Sequence, residues 1–181
     1  MDFELLYRLQ EIRSPLLDQL MPAITFLGNG GWFWIASGLL LAVVPSTRKI
    51  GFCVLFSLLA GLILGNGIVK NLVARERPCW LDESVSLLIE VPKDYSFPSG
   101  HTLASFEAAI SILLYRKRLG IAALILACLI GFSRLYLFVH FPTDVLAGAV
   151  MGTAIAFAVH WAVERFQSRR NEKKQETGER I

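Results

Sequence analysis

The sequence predicts an all-α integral membrane bundle of six helices, and three observations predict it. Of 181 residues, 54% are hydrophobic and only 18% are charged, against roughly half and a quarter in ordinary soluble domains. The charges are also absent over long stretches: 29 residues from 19 to 47, 20 from 50 to 69 and 19 from 145 to 163 carry none, and about 20 apolar residues suffice for a helix to cross lipid. Glycine and proline then divide these runs into pieces of helical length. The net charge of +3 is too small, and the arginines too poorly interleaved with aromatics, for a nucleic-acid surface.

The elements follow in order. Residues 1–14, with acids interleaved among apolar residues, read as a short amphipathic helix at a membrane surface and not as a secretory signal. A membrane domain over 15–164 contains spans near 15–28, 30–45, 50–70, 100–116, 119–138 and 142–163. The first is the weakest, since Pro15, Asp18, Pro22 and the Gly28-Asn29-Gly30-Gly31 turn shorten it to the length of a tilted or re-entrant segment. The connector from Arg77 to Pro98 is too short for an inserted domain. Residues 165–181 read as a charged tail, a frayed helix in water. Cys53, Cys79 and Cys128 share no repeated spacing and read as fillers, neither disulfide nor zinc.

Orientation follows from basic residues with no other evident role: Arg48 and Lys49, Arg116 to Arg118, and Arg165, Arg169, Arg170, Lys173 and Lys174. Six alternating spans put all three groups on one side. The positive-inside bias makes that side cytoplasmic, with both termini there. Trp32, Phe33, Trp34 and Trp80 suit an aromatic belt at the outer interface, Trp161 and Tyr115 one at the inner.

What remains is a polar set at the outward ends: Lys70, Arg75, Arg77, Ser99, Gly100, His101, Arg134, His140 and Asp144. Several cations beside two histidines and one carboxylate make a poor metal site and a good phosphate site. Pro98 and Ser99 open an apolar helix whose free N–H groups and positive end face the surface, and Gly100 permits close approach. Pro142 starts the last helix, so Asp144 lies about one turn beyond His140 and accepts from one imidazole nitrogen. The other nitrogen is left as nucleophile or base.

Lys70, six residues, Arg77 and Pro78; Pro98-Ser99-Gly100-His101; and Ser133, Arg134, five residues, His140, three residues and Asp144 together resemble the three-part signature of the type 2 phosphatidic acid phosphatase family. That family is related to acid phosphatases and vanadium haloperoxidases, and the resemblance covers residues from about 20 to 163. It implies a six-helix bundle of that kind and a lipid phosphatase working without metal or other cofactor. It implies that His140 attacks phosphorus to form a phosphohistidine while Asp144 orients it, and that His101 protonates the leaving oxygen and then activates water. Lys70, Arg77, Arg134, Ser99 and the Gly100 N–H would bind the phosphoryl oxygens.

A lipid phosphate suits this address, and short bacterial members of the family point to undecaprenyl diphosphate, with phosphatidate, phosphatidylglycerophosphate and lipid A as rivals. The expected place is the bacterial inner membrane with the site on its outer face, the bilayer and the lipid being the only partners inferred. A soluble, large haloperoxidase does not fit the apolar spans. A non-enzymatic lipid-binding or transport protein would explain the spans and differs in that His140→Ala would leave binding intact.

Other polar residues carry weaker signals. His160 reads as interfacial, Arg75 as a lipid-headgroup or a substrate contact, and Glu107 and Asn66 as structural first. Asp82, Glu83, Glu90 and Asp94 read as a solvated loop that repels stray anions.

Overall fold

The computed structural model describes residues 2–176, the side chains of 171 and 173–176 aside, and forms helices and turns with no strand among the described residues. In order they are α1 (Asp2–Glu11), α2 (Pro15–Phe26), a 3-10 turn (Asn29–Gly31), α3 (Trp32–Val43) and α4 (Arg48–Gly61). A π-helical stretch (Leu62–Val69) continues α4 into α5 (Lys70–Val73), and α6 (Pro78–Leu81), α7 (Gly100–Leu113), α8 (Lys117–Tyr136) and α9 (Pro142–Glu176) follow. Local chemistry sets several starts. The Ser14 hydroxyl accepts from the Leu17 amide ahead of Pro15, and proline also opens α6 and α9. The expected tail is helical to Glu176, and 177–181 lie outside the described residues, as do the side chains of Lys173 and Lys174.

The mostly buried α7 forms the core, enclosed by α4, α8 and α9. Small residues permit this. A Cβ on Gly148 would stand 2.8 Å from the Ser99 carbonyl oxygen, and one on Gly152 2.5 Å from that of Leu103, so α9 presses backbone to backbone against α7. Hydrogen bonds from Trp34 Nε1 to Ser105 Oγ (2.9 Å) and between Ser57 and Ser111 (3.1 Å) lock α3 and α4 to α7. Trp34, expected in an interfacial belt, is therefore a core residue, 2% exposed. Trp161, at 63%, remains outside.

Each of the six expected segments is helical, but the number of crossings differs. The axes of α2 and α3 bend by only 44°. Along them, Asp18 meets Tyr136, Thr25 meets Arg134, and Trp34 reaches Ser105 in mid-bundle, so the chain advances steadily inward. Each helix has 12 residues, about 18 Å, well short of a bilayer core of about 30 Å. They are two halves of one bent rod. Three stretches, Arg48–Leu81, Lys117–Tyr136 and Pro142–Arg170, are long and apolar enough to cross a membrane, and the bent pair makes a fourth. The 14-residue α7 runs among them from Gly100, beside Asn66 at one end, to the turn at Tyr115, beside Glu164 at the other, and is the fifth pass through the bundle.

The two ends of the described chain consequently lie at opposite ends of the bundle, where an even number of crossings would have brought them together. Asp2 contacts Arg75 and Thr143 beside the start of α9. At the far end, Glu164 of α9 receives Lys49 Nζ at 2.6 Å and the Tyr115 hydroxyl at 3.0 Å, which brings the basic starts of α4 and α8 together with the later half of α9. The amphipathic α1 buries Leu6 completely, and its Phe3 ring packs edge-on against Phe141 at 5.2 Å. It belongs to the fold and covers the α8–α9 turn.

Candidate active site

Three backbone devices gather the polar set at one end of the bundle. In the π-helical stretch the wider turn keeps Leu58, Leu62, Asn66 and Lys70, spaced by four, along one cavity wall. Ala74 adopts φ +46°, ending α5 with its amide on the Lys70 carbonyl (3.0 Å) and turning Arg75 to Arg77 back over the site. Beyond α8, the buried Phe138 takes φ +59°, a conformation costing a bulky residue about 1–3 kcal/mol. The rings of Phe3 and Tyr7 pack against it. That turn swings His140 inward, and the Ser99 amide bonds the Asp144 carbonyl (3.1 Å), joining the starts of α7 and α9.

His140 is 1% exposed and Asp144 fully buried. Arg77 Nη1 lies 3.1 Å from His140 Nε2, and because a guanidinium only donates, Nε2 carries the lone pair and Nδ1 the hydrogen. Burial, then the charges of Arg77, Arg134 and Lys70, hold the imidazole well below its ordinary pKa, so it is neutral. The expected contact to Asp144 is indirect: Nδ1 stands 3.6 Å from Oδ2 and 3.4 Å from Ser96 Oγ, which itself donates to Oδ2 at 2.5 Å. The Phe141 amide donates to the same oxygen at 2.8 Å. Nor is Nε2 wholly free, since Arg77 caps it.

Arg75, read as a headgroup or substrate contact, is engaged by groups of its own chain. It gives Asp144 Oδ1 a 2.7 Å hydrogen bond and Asp2 one of 3.0 Å, while its guanidinium carbon stands 3.9 Å from the Phe141 ring centre. Asp94 also departs from its reading as solvated loop. Its carboxylate bridges Lys70 Nζ (2.6 Å) and Arg77 Nη2 (2.9 Å). Burial would raise its pKa, but these two cations outweigh that and bring it to about 2.

Of the remaining expected residues, Gly100, His101 and Arg134 line the same space, whereas Ser99 does not. Arg134, 3% exposed, donates to Thr25 (2.7 Å), and its Nε meets no acceptor among the described residues. His101 Nε2 lies 2.8 Å from Asn29 Oδ1 and its ring against Gly28, where a Cβ would stand 2.6 Å from it. Ser99 precedes α7, but its hydroxyl is buried and accepts from Thr102 (3.0 Å). A Cβ on Gly100 would stand 2.8 Å from Asn66 Oδ1, so the glycine leaves room for that side chain.

Lys70, Arg77, Arg134, His101 and His140 all line one cavity of about 730 Å³. Its apolar walls are Phe26, Ile35, Leu58, Leu62 and Leu103, and Glu107 lies at its deeper part. Glu107 is 1% exposed, and its Oε1 has no hydrogen-bond partner among the described residues. Sequence reasoning missed Ser96, Thr25 and Asn29; only the proximity of Ser96 to the Pro98-Ser99-Gly100-His101 block was available to find the first.

Fold and site define a class: helical membrane enzymes that hold a phosphoryl group between fixed cations and a histidine. The chain belongs to the PAP2 superfamily, whose family model matches residues 50–168. It is 37% identical over 137 residues to an undecaprenyl-diphosphatase of Sulfolobus acidocaldarius, a match covering 74% of this chain and 66% of that one, just under two thirds of its length. Among solved structures it is similar to Aquifex aeolicus LpxE, with a TM-score of 0.77 and 28% identity, covering 87% of this chain and 93% of the other. It is also similar to a transmembrane PAP2-type phosphatidylglycerolphosphate phosphatase from Bacillus subtilis, with a TM-score of 0.75 and 28% identity, covering 91% and 85%.

Proposed function

We propose that the protein hydrolyses a membrane lipid diphosphate, undecaprenyl diphosphate, to the monophosphate through a phosphohistidine on His140. The observation that carries this reading is the unprotonated Nε2 of a buried histidine on the wall of a cavity shared by Lys70, Arg77 and Arg134. In the first half-reaction Nε2 attacks the terminal phosphorus, the bond to the bridging oxygen breaks, and His101 supplies a proton to that oxygen. In the second, His101 takes a proton from water, whose oxygen attacks phosphorus and releases orthophosphate and neutral His140. Arg77 moves its donor from Nε2 to a phosphoryl oxygen. With Lys70, Arg134 and the Gly100 amide it meets the charge that develops on the equatorial oxygens. Asp144, through Ser96, holds Nδ1–H and balances the charge on the phosphorylated ring.

A lipid substrate is supported by the apolar walls, three of which, Phe26, Ile35 and Leu62, are 57%, 41% and 59% exposed. The reading places the protein in a bacterial inner membrane. Lys49, Arg116 to Arg118 and the later half of α9 gather at the end away from the site, so the site and α1 face outward and the far end of α9 faces the cytoplasm.

The test is phosphate release from undecaprenyl diphosphate, phosphatidate and phosphatidylglycerophosphate in detergent micelles with excess chelator. The expected result is release fastest from the diphosphate and abolished in His140→Ala. A faster glycerolipid would overturn the substrate, and release undiminished in His140→Ala would overturn the mechanism.

A further inference from the structure

Two of the cations that line the cavity hold a carboxylate of their own chain. The oxygens of Asp94 reach Lys70 Nζ at 2.6 Å and Arg77 Nη2 at 2.9 Å, one oxygen to each cation, as two oxygens of a phosphoryl group would. The three partners differ in freedom. The side chains of Lys70 and Arg77 are 8% and 2% exposed, whereas that of Asp94 is 57% exposed. Asp94 hangs from a connector that forms no helix between Leu81 and Gly100. Its backbone is anchored separately, because Arg77 Nε donates to its carbonyl oxygen at 2.7 Å. The carboxylate can therefore rotate away while the connector stays in place, and the cations remain where they are.

We propose that Asp94 is an internal counter-anion that occupies the phosphate position of the empty enzyme and selects for a diphosphate over orthophosphate and simple phosphate monoesters. Any anion entering between Lys70 and Arg77 has to displace two ion pairs. A lone phosphoryl group replaces what it breaks and gains little. A diphosphate brings a second charged group, and Lys93, which lines the same cavity and forms no ion pair among the described residues, is left to receive it. The return of Asp94 to the cations after hydrolysis then helps expel the product orthophosphate, and keeps the free ion from occupying the site. The proposal rests on the reading of the cavity as a phosphoryl site and adds to it the residue that sets which phosphates enter.

The experiment compares the native protein with Asp94→Asn in detergent, using orthovanadate and orthophosphate as probes. Inhibition constants are measured alongside kcat/KM for undecaprenyl diphosphate and for p-nitrophenyl phosphate. Asp94→Asn is expected to bind both anions about tenfold more tightly, the scale of one lost charge-assisted contact, and to lose a similar factor of preference for the diphosphate. Equal or weaker anion binding in the variant overturns the proposal. Because the variant leaves two buried cations uncompensated, its folding is read by melting with and without saturating orthovanadate. An anion that replaces Asp94 raises the variant's melting temperature by more than it raises the native protein's, and an equal or smaller rise overturns the proposal. Failure of both the native protein and the variant to bind either anion overturns the phosphoryl-site reading itself, whereas native binding that the variant merely matches overturns only the role of Asp94.

Discussion

Arg75 Nη1 donates to Asp144 Oδ1 at 2.7 Å, across 69 residues of sequence, while Ser96 and the Phe141 amide occupy the other oxygen. The aspartate behind His140 is thus held on both sides, and Arg75 sets its rotation. Because Arg75 does not line the cavity, it acts as a positioning residue. Arg75→Gln is expected to lower kcat by about tenfold to a hundredfold, by analogy with the loss of a hydrogen-bonded partner that orients a metal-ligating histidine. KM should change little, and Arg75→Lys should restore part of the loss. Steady-state kinetics on the lipid substrate check this, and a rise in KM at constant kcat would instead mean a substrate contact.

His140 titrates in a direction that can be measured. Its folded pKa lies below the value of about 6.5 for an unfolded histidine. As pH falls through 6.5 the unfolded chain takes up a proton that the folded site refuses, so this group weakens the fold in acid and leaves it unaffected above. Nitrogen NMR of histidine-labelled protein at about pH 6 should show Nε2 of His140 as an unprotonated ring nitrogen, identified by its loss in His140→Gln. A fully protonated ring at that pH would contradict the geometry at Arg77.

The contact between α7 and α9 predicts a contrast between two glycines. Gly152→Ala puts a methyl group 2.5 Å from a backbone carbonyl, which only a helix shift relieves, and should destabilise by about 1–3 kcal/mol. Gly67→Ala meets nothing nearer than 3.5 Å and should be neutral or slightly stabilising. Thermal unfolding in one detergent compares them.

A similar contrast tests α1. Leu6 is fully buried against the α8–α9 turn, whereas its neighbour Leu5 is 44% exposed. Leu6→Ala should cost about 2–5 kcal/mol and Leu5→Ala within about 0.5 kcal/mol. Equal effects would mean that α1 lies on the membrane surface, as its amphipathic pattern alone suggests.

The sequence by itself determined the helical segments and the residues that share the cavity. Apolar length and breakers are local properties, and Lys70, Arg77, His101, Arg134 and His140 stand at spacings that their own turns and helix ends impose. Tertiary structure decided how those parts are used. Whether 15–28 and 30–45 cross separately depends on a bend of 44° and on the side chains of α8 that the two halves meet, which hydropathy does not encode. Ser96 between His140 and Asp144, Arg75 on Asp144, and Asp94 on Lys70 and Arg77 are pairings 17 to 69 residues apart. A carboxylate in a polar connector looks the same in sequence whether it faces water or two buried cations. Only the folding of that connector over the cavity distinguishes the two, because charges couple through distance in space.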